Sequence, residues 1–260
     1  MYDDLDRPPL RARPLARALA PDGWRVEVLA ATGSTNAVVA ERAQAGEPAG
    51  LVVVAEAQTA GRGRLDRTWT SPPRAGLTLS ALVRPDLPPE QWPWLPLLTG
   101  LAVASAVREQ AELDAVLKWP NDVLVGGRKL CGVLAQVPLP GAAVLGIGLN
   151  VTTRAEELPH AQATSLLLEG AATTDRDTLL RAVLRALTTA LADLDAGREA
   201  YRALCSTVGR RVRVELPGER TVYGEAERVD GQGRLVVGGT AYAAGDVVHL
   251  RAARPGPLPG

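Results

Sequence analysis

Four short apolar stretches follow one another between residues 115 and 150: AVLKW (115–119), VLV (123–125), KLCGVLAQV (129–137) and AAVLGIGLN (142–150). Each reads as a strand, and Gly126-Gly127 reads as a hairpin turn between two of them. That cluster commits the middle of the chain to a sheet. Three further strands are expected upstream: WRVEVLA (24–30), which alternates, the buried run LVVVAEA (51–57), and LTLSALV (77–83). Helices are expected from GSTN (33–36), with Ser34 as cap, to about Ala45, over 92–113 with its prolines confined to the first turns, and over 175–196. The last carries Leu180, Leu184, Leu187, Leu191 and Leu194 at helical spacing. The fold class is therefore α+β, a mixed central sheet with helices.

After about Val208 the texture changes to short strands split by PGE and GQG turns, which suggests a small β-barrel. The organisation expected is a loose amino-terminal arm (1–20) with a short helix, a main domain (21–207), a barrel (208–254) and a disordered tail (255–260). Residues 1–20 are too few for a DNA-reading helix-turn-helix domain.

Formal net charge is zero, with no long charge run, which gives no support to a role coating nucleic acid or a membrane surface. No apolar run approaches the ~20 residues that span a bilayer, and the amino terminus lacks a signal-peptide apolar region, so a cytoplasmic location is expected. Cys131 and Cys205 form neither a metal-ligand spacing nor a disulfide framework, and read as small buried hydrophobes.

Of 29 Lys+Arg residues only two are lysines, Lys118 and Lys129. Asparagine occurs three times, at Asn36, Asn121 and Asn150; Ile147 is the one isoleucine and phenylalanine is absent. All four residue types have A/T-rich codons, which implies a G/C-rich genome. The lysines and asparagines that persist mark places where chemistry resists replacement, and all of them fall in GSTN, LKWPNDVLVGGRKLCGVL (117–134) or GIGLN (146–150). A fourth segment, QTAGRGRLDRTWTSP (58–72), sets Arg62, Arg64 and Arg67 among glycines. Guanidinium forks bind phosphate and carboxylate oxygens bidentately, and glycines let the backbone close over a ligand. Taken alone, the loop reads equally as a solvated turn. Gly61-x-Gly63 lacks the third glycine of a dinucleotide fingerprint, and Gly146-x-Gly148 lies inside a strand pattern and is weaker still.

Together GSTN, QTAGRGRLDRTWTSP, KWPNDVLV, RKLCGVL and GIGLN resemble the biotin protein ligases, in order and spacing, over about residues 22–254. The related lipoate ligases and octanoyltransferases share the fold but not this arginine loop with KWPND. The resemblance implies the biotin/lipoate ligase catalytic fold with a carboxy-terminal SH3-like barrel. It implies activation of biotin by ATP to biotinyl-5'-AMP, and transfer to a lysine of a biotin carboxyl carrier domain. Biotin's ureido ring would meet Ser34, Thr35, Asn36 and Gln58, and Arg62, Gly63 and Arg64 would close over biotin and phosphate. Lys129 would sit between the biotin carboxylate and the α-phosphate, with Arg67 beside the phosphates. Trp69 would wall the nucleotide, and Asn121 and Asn150 would read adenine. Asp122 is the candidate base or orienting group in the transfer step; Lys118 would support the phosphates or pair with Asp122. His160 and His249 are assigned no catalytic role. Mg²⁺ would arrive with ATP rather than in a dedicated protein cage. A monomer or weak homodimer that binds neither DNA nor membrane is expected. Asp66 stands where many family members have glycine, and the winged-helix repressor domain of bifunctional members is missing. The rivals are a lipoate-type ligase, separated by which acid supports ATP–pyrophosphate exchange, and a non-catalytic biotin-binding regulator. The latter is disfavoured by the retained phosphate-facing cations.

Overall fold

The computed structural model describes residues 7–65, 67–216, 218 and 220–250. Asp66, noted above as a departure, and the expected tail lie outside the described residues. Two sheets organise the chain. The larger has seven strands in the order β1-β2-β3-β7-β6-β5-β4. These are β1 (Arg25–Leu29), β2 (Leu51–Ala55), β3 (Gly76–Val83), β4 (Val116–Lys118), β5 (Asp122–Val125), β6 (Arg128–Leu139) and β7 (Ala142–Asn150). β1 and β2 pair in parallel and every other neighbour is antiparallel, so the sheet is mixed.

The strands alternate as strand geometry requires, and the two faces carry different loads. Leu77, Leu79, Ala81 and Val83 of β3, with Ala143, Leu145, Ile147 and Leu149 of β7, join the main core. That core is covered by α1 (Ala12–Leu19), α3 (Trp94–Gln110), α4 (Arg176–Ala192) and α5 (Leu194–Leu204). The opposite face carries a small second core, in which Val39 and Ala43 of α2 (Thr35–Gln44) pack on Leu51, Val53, Leu82, Ala142 and Val144. Along the rest of that face the alternate positions are Thr78, Ser80, Gly132, Gly146, Gly148 and Asn150, and none of these joins either apolar cluster.

The second sheet is antiparallel, in the order β11-β10-β9-β8-β12, and forms the SH3-like unit. Its strands are β8 (Arg211–Leu216), β9 (Arg220–Val229), β10 (Leu235–Val237), β11 (Thr240–Tyr242) and β12 (Asp246–His249). Its apolar residues Val212, Val214, Ala226, Val229, Leu235, Val237 and Val247 belong to the same continuous cluster as the main core. Two tryptophans stitch the units together: Trp94 Nε1 donates to Gly231 O at 2.9 Å and Trp119 Nε1 to Gly233 O at 3.0 Å. No helix among the described residues is long and apolar enough to cross a membrane.

Two sequence expectations need correction. The arm is not loose over residues 7–20. Leu15 and Leu19, one helical turn apart, are fully buried, and each such burial is worth about 1.5–3 kcal/mol. Arg7 is buried too, donating to Thr152 O at 2.9 Å and pairing with Glu157. A buried Arg176–Glu56 pair at 2.6 Å holds the connecting segment: Arg176 donates to Pro8 O, and Glu56 accepts from Leu10 N. The helix expected over 175–196 is two helices. The chain leaves helical geometry at Asp193, whose side chain accepts from Ala196 N at 3.0 Å and caps α5. Gly197 lets α5 approach α3 and α4, since a Cβ there would lie 2.8 Å from Leu98 Cδ2. Tyr201 then packs edge-on against Trp94.

Candidate active site

Over the part of the larger sheet that carries Thr78, Ser80 and these glycines lies an open cleft of about 1540 Å³, enough for a small acid and a nucleotide side by side. Its floor is set by register. Ser80, Gly146 and Leu134 face one another across β3, β7 and β6, and Thr78, Gly148 and Gly132 form the next row. The glycines are bare because other side chains occupy the space above them. A Cβ on Gly146 would lie 2.1 Å from Asn36 Oδ1, and one on Gly148 would lie 2.4 Å from Trp69 Cε2.

One wall is the start of α2. Ser34 sits at the cap position with extended backbone, but its hydroxyl makes no capping bond, contrary to the expectation that it caps the helix. Gln58 takes that role instead: its Oε1 accepts from Thr35 N at 2.7 Å. This frees the Ser34 hydroxyl within the cleft lining. Behind it, Ser80 is fully buried and its Oγ lies 2.7 Å from Thr35 Oγ1 and 2.6 Å from Asn36 Oδ1.

The arginine loop forms the lid side. It folds back on itself: Arg62 bridges Thr68, Gly63 N donates to Arg67 O at 2.6 Å, and Trp69 N donates to Gly61 O at 3.0 Å. Gly61 is needed for close approach, because a Cβ there would meet Trp69 O at 2.3 Å. Arg62 is exposed and has no ion pair among the described residues. Arg64 donates to Asn121 Oδ1 at 3.2 Å and Gly245 O at 3.3 Å, and lies 3.8 Å from Asp246. Burial lowers the pKa of its guanidinium, opposed by Asp246 and then Asp122. Arg67 also pairs with Asp246. The Trp69 indole lies over Gly148 and Gly132, with Nε1 buried and lacking a hydrogen-bond partner.

At the far end Asp122 stands between both lysines of the chain, 2.6 Å from Lys129 Nζ and 3.6 Å from Lys118 Nζ. Its Oδ1 makes no aligned hydrogen bond despite the close ammonium, so the charge contact is electrostatic rather than directional. Lys129 Nζ is also 6.0 Å from the Trp69 ring centroid, which ties the lysine to the loop. Asn121 is engaged at both ends, its Nδ2 donating to Val133 O at 3.0 Å, and buried Asn150 donates to Thr164 O at 2.9 Å. His160 and His249 also line the cleft. Burial, with smaller contributions from Lys118 and Arg210, lowers the pKa of His249 to about 4. No group of three or more His, Cys, Asp or Glu comes together as a metal cage among the described residues.

The cleft thus gathers Ser34, Thr35, Asn36, Gln58, Arg62, Gly63, Arg64, Arg67, Trp69, Asn121, Asp122, Lys129 and Asn150. Sequence reasoning missed Ser80, Gly132 and the carboxy-terminal residues Gly245 and Asp246. Asp246 of β12 lies outside every quoted motif, yet it holds two of the loop arginines. The alternating glycines of GIGLN were the available signal for the floor.

Comparison with known proteins agrees with this geometry. The family model described as the biotin/lipoate A/B protein ligase family matches residues 28–151. The biotin--[acetyl-CoA-carboxylase] ligase of Mycobacterium tuberculosis is 48% identical, covering 94% of this chain and 97% of that protein. Among solved structures, the biotin protein ligase of Aquifex aeolicus in complex with biotin and ATP superposes with a TM-score of 0.73 at 28% identity, covering 87% of this chain and 99% of that one. The Leishmania major biotin protein ligase in complex with biotinyl-5-AMP gives a TM-score of 0.61 at 30% identity, covering 87% and 98%. The α+β fold, the arginine loop and the 48% identity that runs over nearly the full length converge on one conclusion: the chain belongs to the biotin protein ligase family.

Proposed function

We propose that this protein joins biotin to ATP, forming biotinyl-5'-AMP and pyrophosphate, and then passes the biotinyl group to a lysine of a biotin carboxyl carrier domain. The observation that carries this reading is a single cleft that joins a wall of hydroxyls and amides to a cluster of cations. The wall suits a small polar ring beside Ser34, Thr35 and Gln58. The cations Arg62, Arg64, Arg67 and Lys129 suit the second problem, bringing a carboxylate up to a triphosphate when both are anionic.

In the first step a biotin carboxylate oxygen attacks the α-phosphorus of MgATP, and pyrophosphate leaves with its bonding pair. Lys129, whose Nζ lies 2.6 Å from the Asp122 carboxylate, neutralises charge between the two reacting groups. Arg64 and Arg67 exchange Asp246 for phosphate oxygens as the loop closes. Trp69 offers its indole to the nucleotide, and Asn121 and Asn150 border the base. In the second step the carrier amine, neutral, attacks the acyl carbon, and AMP departs. Asp122 orients that amine or takes its proton. Mg²⁺ enters as part of the nucleotide substrate.

The test is biotin-dependent ATP–pyrophosphate exchange in the absence of carrier, with lipoate and octanoate as alternative acids, followed by intact-mass analysis of a carrier domain. Exchange with biotin alone is expected. Exchange with lipoate but not biotin, or no exchange at saturating MgATP, refutes the reading.

A further inference from the structure

Ser80 lies beneath the ring end of the cleft, fully buried, in a strand that reads from sequence as ordinary core. Around it three side chains form a chain of contacts whose protons can be counted. Asn36 Nδ2 approaches Leu134 O at 3.3 Å and Gln136 Oε1 at 3.0 Å. A backbone carbonyl only accepts, so the nitrogen of this carboxamide must face β6 and its oxygen must face Ser80. Asn36 Oδ1 and Ser80 Oγ are 2.6 Å apart, and Ser80 Oγ and Thr35 Oγ1 are 2.7 Å apart. Oxygens that close repel unless a proton lies between each pair. Two protons are required and only two exist, one on Ser80 and one on Thr35. Ser80 must therefore donate to Asn36, and Thr35 must donate to Ser80. The contact of Thr35 Oγ1 with Gln58 Oε1 at 3.1 Å receives no proton, and Gln58 Oε1 is already satisfied by Thr35 N at 2.7 Å.

The outcome is a hydroxyl with a fixed polarity. Thr35 lines the cleft, and its Oγ1, with the proton turned toward Ser80, keeps a lone pair over. Resting on the biotin reading above, we infer that Asn36 and Ser80 are positioning residues, not ligand contacts: they lock Thr35 Oγ1 as an acceptor, so the site demands an N–H from the ring it binds. This replaces the expectation that Asn36 itself meets the ureido ring. Its carboxamide is already bonded at both ends, and it rests on the bare backbone of Gly146. It also supplies a reason for rejecting rings without N–H groups: such a ring would leave a buried lone pair of Thr35, or face it with another.

The test uses biotin and the two cyclic-carbamate analogues in which one ureido N–H at a time is replaced by oxygen, a change of similar size that turns a donor into an acceptor. Dissociation constants are measured on the full chain for wild type, Ser80→Ala and Ser80→Thr, with thermal melts confirming folding. Wild type should prefer biotin over one of the analogues by on the order of a hundredfold. In Ser80→Ala the Thr35 hydroxyl is free to turn and donate to the ring oxygen, so that preference should fall to about tenfold or less. Ser80→Thr keeps the hydroxyl and should keep the preference. A Ser80→Ala protein that loses affinity for all three ligands in proportion, preserving the ratio, overturns the inference, since a merely structural serine would act that way. Asn36→Leu gives a second reading alongside Ser80→Ala: it removes the acceptor that takes the Ser80 proton, and the ratio should again collapse. A wild type that discriminates against neither analogue also overturns it. A wild type that binds no biotin refutes the functional reading first, and this inference with it.

Discussion

Asp246 is the residue whose replacement should improve a step rather than impair it. It holds Arg67 directly and lies 3.8 Å from Arg64, so the arginines proposed to receive the triphosphate are paired with a carboxylate. Binding MgATP must displace that carboxylate and then place phosphate near it. The Arg67 partner is 64% exposed, so that pair contributes little, at the low end of the ~0.2–1 kcal/mol seen for exposed pairs. Arg64 and Asp246 are 22% and 17% exposed, and their longer contact is correspondingly less screened. Together the competition amounts to about 1 kcal/mol, about fivefold in a binding constant. Asp246→Asn, nearly identical in shape, should therefore tighten MgATP about fivefold in the presence of saturating biotin, read by calorimetry or Trp69 fluorescence. The gain should shrink at high salt, because the lost interaction is between partly solvated charges. Unchanged or weaker nucleotide binding in Asp246→Asn would show that the carboxylate aligns the arginines rather than competing for them.

Lys129→Arg should keep the fold but slow single-turnover formation of biotinyl-adenylate by at least about tenfold, on the order of 1.4 kcal/mol in the barrier, because a planar fork cannot replace a compact ammonium beside Asp122. Lys129→Ala should be slower still, and an Arg variant of unchanged rate would refute the shape argument. Gly148→Ala puts a methyl where Trp69 Cε2 is 2.4 Å away, so the indole must leave the floor. Nucleotide affinity should fall by about tenfold or more while the melting temperature changes little, since strand pairing is untouched. His249 stays neutral in the folded protein down to about 4, against 6.5 for the free side chain. The unfolded chain therefore binds the extra proton between those values, and stability should decline as pH falls from about 6.5 to about 4. His249→Gln should show a shallower decline in urea titrations across that window, and an unchanged slope would refute the assignment.

What was legible in the sequence follows from what chemistry makes unusual. Lysines in an arginine-rich chain, glycine-spaced arginines and isolated asparagines stand out because ordinary folding has no need of them there. The strands and α2 were visible through alternation and turn residues. Ser80 was invisible, because LTLSALV satisfies a buried-strand pattern whether or not its hydroxyl is bonded. Gly146 and Gly148 were weighed as a phosphate loop and set aside, although their role is to leave room for Asn36 and Trp69 over a sheet. The break at Asp193 carries no glycine or proline, and the leucine spacing runs straight through it. Asp246 reaches the arginine loop from far along the chain, and such a contact exists only once the two sheets are packed. The docked arm shows the same limit: Arg7 looks like a solvent-facing charge until Glu157 and Thr152 close around it.

The shared core has a thermodynamic consequence. Val212, Val214, Leu235 and Val237 of the carboxy-terminal sheet lie in one apolar cluster with α3 and β7, and Trp94 and Trp119 reach across to Gly231 and Gly233. Neither part can melt without exposing the other's interior, so the two should give a single calorimetric endotherm. Any ligand held in the cleft then protects backbone amides well away from it, because the free energy of its binding is added to one common unfolding equilibrium. Hydrogen exchange in β10, a strand that lines no part of the cleft, becomes a gauge of biotin occupancy.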